Sequence, residues 1–398
     1  MPETTMQTAR LSPGGSRFQG RRVTLIALGH AAHDTYTAFL PPLLPLFLIP
    51  QALSKTEAGL LAVFLQVPWL LQPFIGHLAD QTRVRAIVVF APAVSAVMMS
   101  LLGIAPNYGV MVALLLMAGV SSAAFHAVGP ALVARLAGSA IGRGMGLWMV
   151  GGELGRTLGP VMAVAAVQIL TLEGLPWVMV GGIAASVLLA SQFRRTEGVR
   201  EERSPWPWRT LLGGLGLLMA PVAGIMLLRS FLLAALNLYL PMFLSEQGAS
   251  FWLAGIALTV LEGAGVVGAL LGGALSDRLG RRTVLAISLT TTPLLMFAFL
   301  GLSGWLQILL LVLLGLTGLS VTPVIMAIVL ESFPYNRALA NGVYMLLSFL
   351  IRSVAILSLG VLGDAAGLRS AYLLSGILAL GGLPLLLLLP APGRCRSD

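Results

Sequence analysis

The chain has 398 residues, 57% hydrophobic and 10% charged, with a mean hydropathy of +0.93. A soluble domain carries about 25% charged residues, so the composition excludes a soluble enzyme or carrier and indicates an all-α integral membrane protein. The formal charge of +9 does not make a nucleic-acid surface, because the arginines sit in short segments between apolar stretches.

The first 22 residues are polar, with Arg10, Arg17, Arg21 and Arg22, and 1–21 form a tail. The apolar segment that follows is too long for a signal-peptide core and has no small-residue cleavage site, so it reads as an uncleaved first helix. At about 20 apolar residues per crossing, twelve segments span the membrane: 22–49, 58–78, 86–104, 108–134, 142–170, 175–193, 210–245, 253–275, 283–303, 306–332, 338–362 and 370–391. The one long polar stretch between them, 194–209, separates a bundle over 22–193 from a second over 210–391, and 392–398 forms a tail. Nineteen basic residues fall on the N-terminal side of the spans, against Lys55 and Arg369 on the other, so both termini are expected in the cytoplasm. Arg supplies nearly all the positive charge, as in a GC-rich bacterial genome, and the expected location is a bacterial cytoplasmic (inner) membrane. The single cysteine, Cys395, excludes an intramolecular disulfide and a cysteine metal site.

Polar residues inside the spans carry the functional signal. The first span places His30, His33, Asp34 and Thr37 on one helical face. The fourth holds His126, the fifth Glu153 and Arg156, the seventh Arg229, the eighth Glu262 and the eleventh Arg352. Each charge facing lipid would cost about 2.5–3.5 kcal/mol, so these groups must turn inward. They either pair to hold the helices together or form an ion-coupled site. Asp34 beside two imidazoles is a proton site in the second account, and Glu262 is the other acid. A metal site from His30, His33, Asp34 and His126 is conceivable but not expected, because the HxxHD run is not the HExxH pattern and the general-base Glu is missing. Gly263, Gly265 and Gly268 satisfy GxGxxG but lie inside a helix with no preceding strand, which makes them packing residues.

The two halves repeat. Gly76 to Asp80 (GHLAD) returns as Gly273 to Asp277 (GALSD), Phe39-Leu-Pro as Tyr239-Leu-Pro, and Trp148-Met with Arg156 as Tyr344-Met with Arg352, at offsets of 197, 200 and 196. Arg156 and Arg352 are therefore expected to face one another across a pseudo-two-fold axis, where two guanidiniums favour a carboxylate or phosphonate. Glu153, three residues from Arg156, is the rival partner for it. Gln66 is the repeat mate of Glu262.

The loop GALSDRLGRR resembles the signature loop of the major facilitator superfamily, and GHLADQTRVR is a weaker copy with Gln81 at a basic position. HDTYTAFLPPLLP, FLQVPWLLQPFIGHLAD, SSAAFHAVGPA, GGELGRTLGP and FPYNRALANGVYMLLSFLIRS are similar to the fosmidomycin-resistance subfamily of efflux proteins. GRTLGP matches the start of the antiporter signature but departs from it at Ala163 and Val164, and the arginine many antiporters carry in the fourth span is absent. The resemblance implies twelve helices in two pseudo-symmetric six-helix bundles and a secondary active transporter, not an enzyme, without cofactors. It implies proton-coupled efflux of small anionic or amphiphilic compounds, by a monomer in the bilayer that binds a small molecule and protons and no nucleic acid. Proton coupling would fall to Asp34, His33 and Glu262. Substrate would meet His30, Tyr36, His126, Glu153, Arg156, Arg229, Tyr344 and Arg352. Gly76, Asp80, Arg83, Arg85, Gly273, Asp277, Arg278, Arg281 and Arg282 would form a conformational latch. Uptake of a metabolite anion by symport, and a membrane-embedded metalloenzyme built on His30, His33 and Asp34, are the alternatives.

Overall fold

A computed structural model of the protein describes residues 18–389 except 49, 51, 73–74, 76–83, 139, 194–207 and 333–336, and gives the backbone alone at 84–85, 208–219, 330 and 337–342. Most of the central linker and both outer tails fall outside the described residues. Within them the chain is helical, with no strand. The first span is α1 (Gly20–Thr37) plus α2 (Leu40–Leu48), followed by α3 (Lys55–Gln66), α4 (Val84–Ser100), α5 (Tyr108–Ala137), α6 (Ile141–Leu170) and α7 (Met179–Gln192). The second half comprises α8 (Trp208–Ala234) with α9 (Leu240–Glu246), α10 (Phe251–Leu279), α11 (Arg281–Gly301), α12 (Trp305–Leu319) with α13 (Val321–Ser332), and α14 (Arg337–Leu380). Gly367, at φ +80, divides α14 into the two last spans.

Eight of these helical stretches are long and apolar enough to cross a membrane. The first, second and fifth expected spans are not among them. The fifth carries Arg143, Glu153 and Arg156, and the first is broken for a chemical reason. Pro41 and Pro42 have no N–H, so the carbonyls of Thr37 and Ala38 lose their helical partners and the helix breaks between α1 and α2. The repeat mate behaves alike. Pro241 leaves the carbonyl of Asn237 without its bond, and a π-helical turn, Ala235–Tyr239, relaxes the seventh span there. The duplicated Phe/Tyr-Leu-Pro thus produces a duplicated distortion.

Packing follows the duplication. The fifth span (α6) packs on the eighth (α10), and the second (α3) on the eleventh (α14). The repeat converts one pair into the other, as a two-fold axis between the halves requires. The apolar cores show which end is closed. One cluster contains only residues of the first half, among them Val23, Phe125 and Trp148, and another only residues of the second, among them Val222, Leu285 and Val329. The largest mixes both, joining Phe39 and Leu61 to Tyr239, Leu258 and Leu359. The halves therefore share a core at one end and keep separate cores at the other, where α1 begins.

Candidate functional site

Close helix contact builds the first polar cluster. α6 carries Gly151, Gly155 and Gly159 along the face that meets α1, and a side chain at Gly155 would run into the Ala31 carbonyl and the Asp34 Cβ. At Gly152, a Cβ would lie 2.6 Å from His30 Cε1 and 3.2 Å from Asp34 Oδ2. This approach places His30, His33 and Asp34, all buried, against α4, α5 and α6. His30 Nδ1 lies 2.9 Å from the Trp148 carbonyl and its ring stacks on Trp148 at 3.8 Å. His126 Nδ1 lies 2.9 Å from the Ser122 carbonyl. The two Nε2 atoms are 3.2 Å apart. Asp34 faces both, at 3.3 Å from His30 and 3.6 Å from His126. His33 stacks on Phe125 and sets its Nδ1 2.9 Å from Ser95 Oγ.

A second group gathers charges from both halves. Glu153 and Arg156 are paired on α6. Glu262, on α10, lies within electrostatic reach of Arg156, Glu153 and Arg352, and the two repeat-related arginines sense one another. Arg156 keeps 47% of its side chain accessible. Arg229 and Tyr344 are neighbours of Arg352 but are buried. Arg229 is engaged structurally: its Nη2 donates to the Gly318 carbonyl at 2.6 Å and to Thr322 Oγ1 at 3.2 Å, tying α8 to α12 and α13. Tyr36 is engaged likewise, donating to the Val178 carbonyl at 2.6 Å and accepting from the Gly182 N–H at 3.0 Å.

In the signature loop of the second half, Arg281 is the hub. It pairs with Asp277 at 2.6 Å and with Glu331 at 2.7 Å and donates to Ser276, while Gly280, at φ +90, turns the chain from α10 into α11. Gly273 has open space at its Cβ position and Arg282 Nε is buried without a partner; Arg278 lies in the last turn of α10. Of the first copy, Gly76, Asp80 and Arg83 lie outside the described residues, as does the side chain of Arg85. The GxGxxG glycines pack as expected, Gly268 against the Leu316 carbonyl of α12.

Sequence reasoning missed Trp148 as the carbonyl holding His30, Glu331 as the partner of Arg281, and the contacts that close one end of the molecule. There Lys55 Nζ pairs with Glu246 at 2.9 Å, and Asp364 bonds to the start of α3. Each joins the two halves, and only the fold brings such distant positions together.

The comparisons agree with this architecture. The chain is similar to the fosmidomycin resistance protein of Escherichia coli (strain K12), 23% identical over 90% of each chain, and to an uncharacterised MFS-type transporter of Bacillus subtilis (strain 168), 26% identical over 94% of this chain and 93% of that one. Its fold is similar to that of a bacterial homolog of the human lysosomal transporter Spinster in an inward-facing, occupied conformation (TM-score 0.78, 14% identity, 93% of this chain and 96% of that one). It is also similar to that of a D-xylose-proton symporter (TM-score 0.70, 18% identity, 93% and 98%). The family model of the Major Facilitator Superfamily matches residues 26–270 and 222–397, which between them take in both halves. The two repeated six-helix bundles are thus explained: the chain belongs to the Major Facilitator Superfamily and is a multi-pass membrane transporter, not an enzyme.

Proposed function

We propose that the chain is a proton-linked secondary transporter of small anionic or amphiphilic compounds in a bacterial inner membrane, working by alternating access, with export of fosmidomycin-like phosphonates as the leading reading. One observation carries it: Glu262 lies within electrostatic reach of both Arg156 and Arg352, and these three charges come from both halves of the molecule. Two guanidinium forks can grip a phosphonate or carboxylate bidentately. A site made from both halves is reshaped when they rock, which gives the substrate different affinities in the two states. The resemblance to the fosmidomycin resistance protein supports the phosphonate class and the outward direction.

Glu262 supplies the link to protons. Its ionised carboxylate would compete with an anionic substrate for the field of the two arginines, and its neutral form would leave them to the anion. The groups facing it are Arg156 and Glu153 of α6 and Arg352 of α14. Because this linkage is reciprocal, a bound proton strengthens anion binding and a bound anion strengthens proton binding. That mutual reinforcement is the logic of a second reading, uptake by proton symport, in which both ligands travel together. Export rests instead on the resemblance to the fosmidomycin resistance protein and requires proton and anion to load in alternate states.

The experiment is accumulation of labelled fosmidomycin in cells with and without the protein, before and after an uncoupler. Export predicts lower accumulation that the uncoupler restores. Symport predicts higher accumulation that the uncoupler abolishes. Identical accumulation under all conditions would overturn both readings for this compound class.

A further inference from the structure

The geometry points to a site for a borderline divalent transition metal, of the Zn²⁺ kind, held by His30, Asp34 and His126. It lies in the first half of the molecule and does not rest on the anion site described above. The argument starts from the far side of each ring. His30 Nδ1 is 2.9 Å from the Trp148 carbonyl and His126 Nδ1 is 2.9 Å from the Ser122 carbonyl. A carbonyl oxygen can only accept, so both Nδ1 atoms carry the hydrogen, and each neutral ring presents a lone pair at Nε2. Those lone pairs converge on one another at 3.2 Å and on the Asp34 carboxylate at 3.3 and 3.6 Å. Two lone-pair nitrogens and the two oxygens of one carboxylate therefore meet with no donor among them, an arrangement that calls for a cation at its centre.

The spacing suits a metal ion. Bonds of about 2.0–2.1 Å from a tetrahedral ion put its ligand atoms about 3.3–3.4 Å apart. That is close to the separations of His30 Nε2 from His126 Nε2 (3.2 Å) and from Asp34 Oδ2 (3.3 Å), with His126 Nε2 3.6 Å from the other carboxylate oxygen, Oδ1. All the donor atoms lie within 4.8 Å of one another. Two imidazole nitrogens with one carboxylate, and no thiolate, select Zn²⁺, Co²⁺, Ni²⁺ or Cu²⁺ over Mg²⁺ and Ca²⁺. The outer shell is already in place, since a backbone carbonyl fixes the tautomer of each ring and Trp148 stacks on His30. Of the six buried polar side-chain atoms without a hydrogen-bond partner among the described residues, two belong here: Asp34 Oδ1 and His33 Nε2, 4.0 Å apart. The side chain of His126 is 22% accessible, which leaves an entry path and a fourth coordination position.

The ligands come from α1 and α5, both in the first half. The ion would stay bound as the halves rock, bracing α1 against α5 and neutralising Asp34, and would act as a resident ion.

The test uses the purified full-length protein in nanodiscs, stripped with a chelator and titrated with Zn²⁺ and separately with Co²⁺. The expected result is one ion per chain, with Co²⁺ giving the strong visible absorption of a four-coordinate site. His126→Gln and Asp34→Asn should each lower Zn²⁺ affinity at least tenfold, while His77→Gln, at the remaining histidine, leaves it unchanged. Zn²⁺ should raise the unfolding temperature of the unaltered protein and of His77→Gln but not of the other two variants, a readout that also reports whether each variant is folded. No saturable binding to the unaltered protein would overturn the site and leave a shared proton as the cation. Undiminished affinity in both His126→Gln and Asp34→Asn would overturn it equally.

Discussion

Asp364 caps the first turn of α3 from the other half of the molecule: its carboxylate accepts the N–H of Lys55, 309 positions away, at 2.7 Å. The same carboxylate takes the N–H of Thr56 at 3.0 Å and the Thr56 hydroxyl at 2.6 Å. The start of a helix leaves N–H groups without partners and carries partial positive charge, so an anion there is favoured. Here that anion belongs to the opposite bundle. The contact exists only while this end is shut, so it contributes to the balance between closed and open states. Glu57 and Ser54 complete a capping box within α3 itself, which keeps the helix formed whether or not Asp364 is engaged.

Replacing Asp364 with Asn should therefore shift the conformational balance without unfolding α3. The group is partly solvated, so the loss is about 1–1.5 kcal/mol, roughly a five- to tenfold change in the equilibrium. Spin labels at Ala52 and Ala366 would read it. The unaltered protein should give a predominantly short separation, and Asp364→Asn a longer population beside it. An unchanged distance distribution would remove Asp364 from the closure.

Glu262→Gln should hold the site in its proton-bound likeness. Anion binding should persist or strengthen, and its dependence on pH should flatten, because the group that competes for Arg156 and Arg352 no longer ionises. Equilibrium binding of labelled fosmidomycin between pH 5 and 8 checks this. A pH profile identical to that of the unaltered protein would place the coupling proton elsewhere.

Arg229→Met separates structure from substrate. Its guanidinium is committed to the Gly318 carbonyl and Thr322, and leaving a buried carbonyl unpaired costs about 1–3 kcal/mol. Thermal stability should fall by that order, while transport per folded molecule stays near its original value. A large loss of transport with no loss of stability would return Arg229 to the substrate.

How much of this was readable from the chain depended on whether the information was local. Helix breaks at Pro41, Pro42 and Pro241 follow from a missing N–H, and the duplicated halves from motifs repeated at nearly constant offset. Inward-facing charges follow from the cost of exposing them to lipid. The first-span histidines were visible as a helical face and His126 as a candidate site residue, but not that the His126 and His30 rings, 96 positions apart, would meet at 3.2 Å. Spacing rules look along one helix, and this cluster spans two, so its geometry could not be read from the HxxHD run. Tyr36 and Arg229, expected at the substrate, are each engaged by a backbone carbonyl that the sequence could not reveal. A polar group inside a span reads as functional until the carbonyl that satisfies it is known.

Gly155 gives a stability test of the same packing. Gly155→Leu should prevent α1 and α6 from meeting, because its first carbon already collides with the Ala31 carbonyl. Overpacking of a close helix contact costs about 1–3 kcal/mol or more. Detergent-solubilised protein should then elute as aggregate in size-exclusion chromatography, whereas Gly273→Leu, with open space around it, should elute normally.

The most direct measurement is flux of labelled fosmidomycin into proteoliposomes under a pH gradient, comparing the unaltered protein with Arg156→Ala and Arg352→Ala. The account predicts at least a hundredfold loss in both variants, partial recovery with lysine at either position because a point charge replaces only part of a planar fork, and normal membrane insertion throughout. Undiminished, gradient-dependent flux with both arginines removed would contradict it.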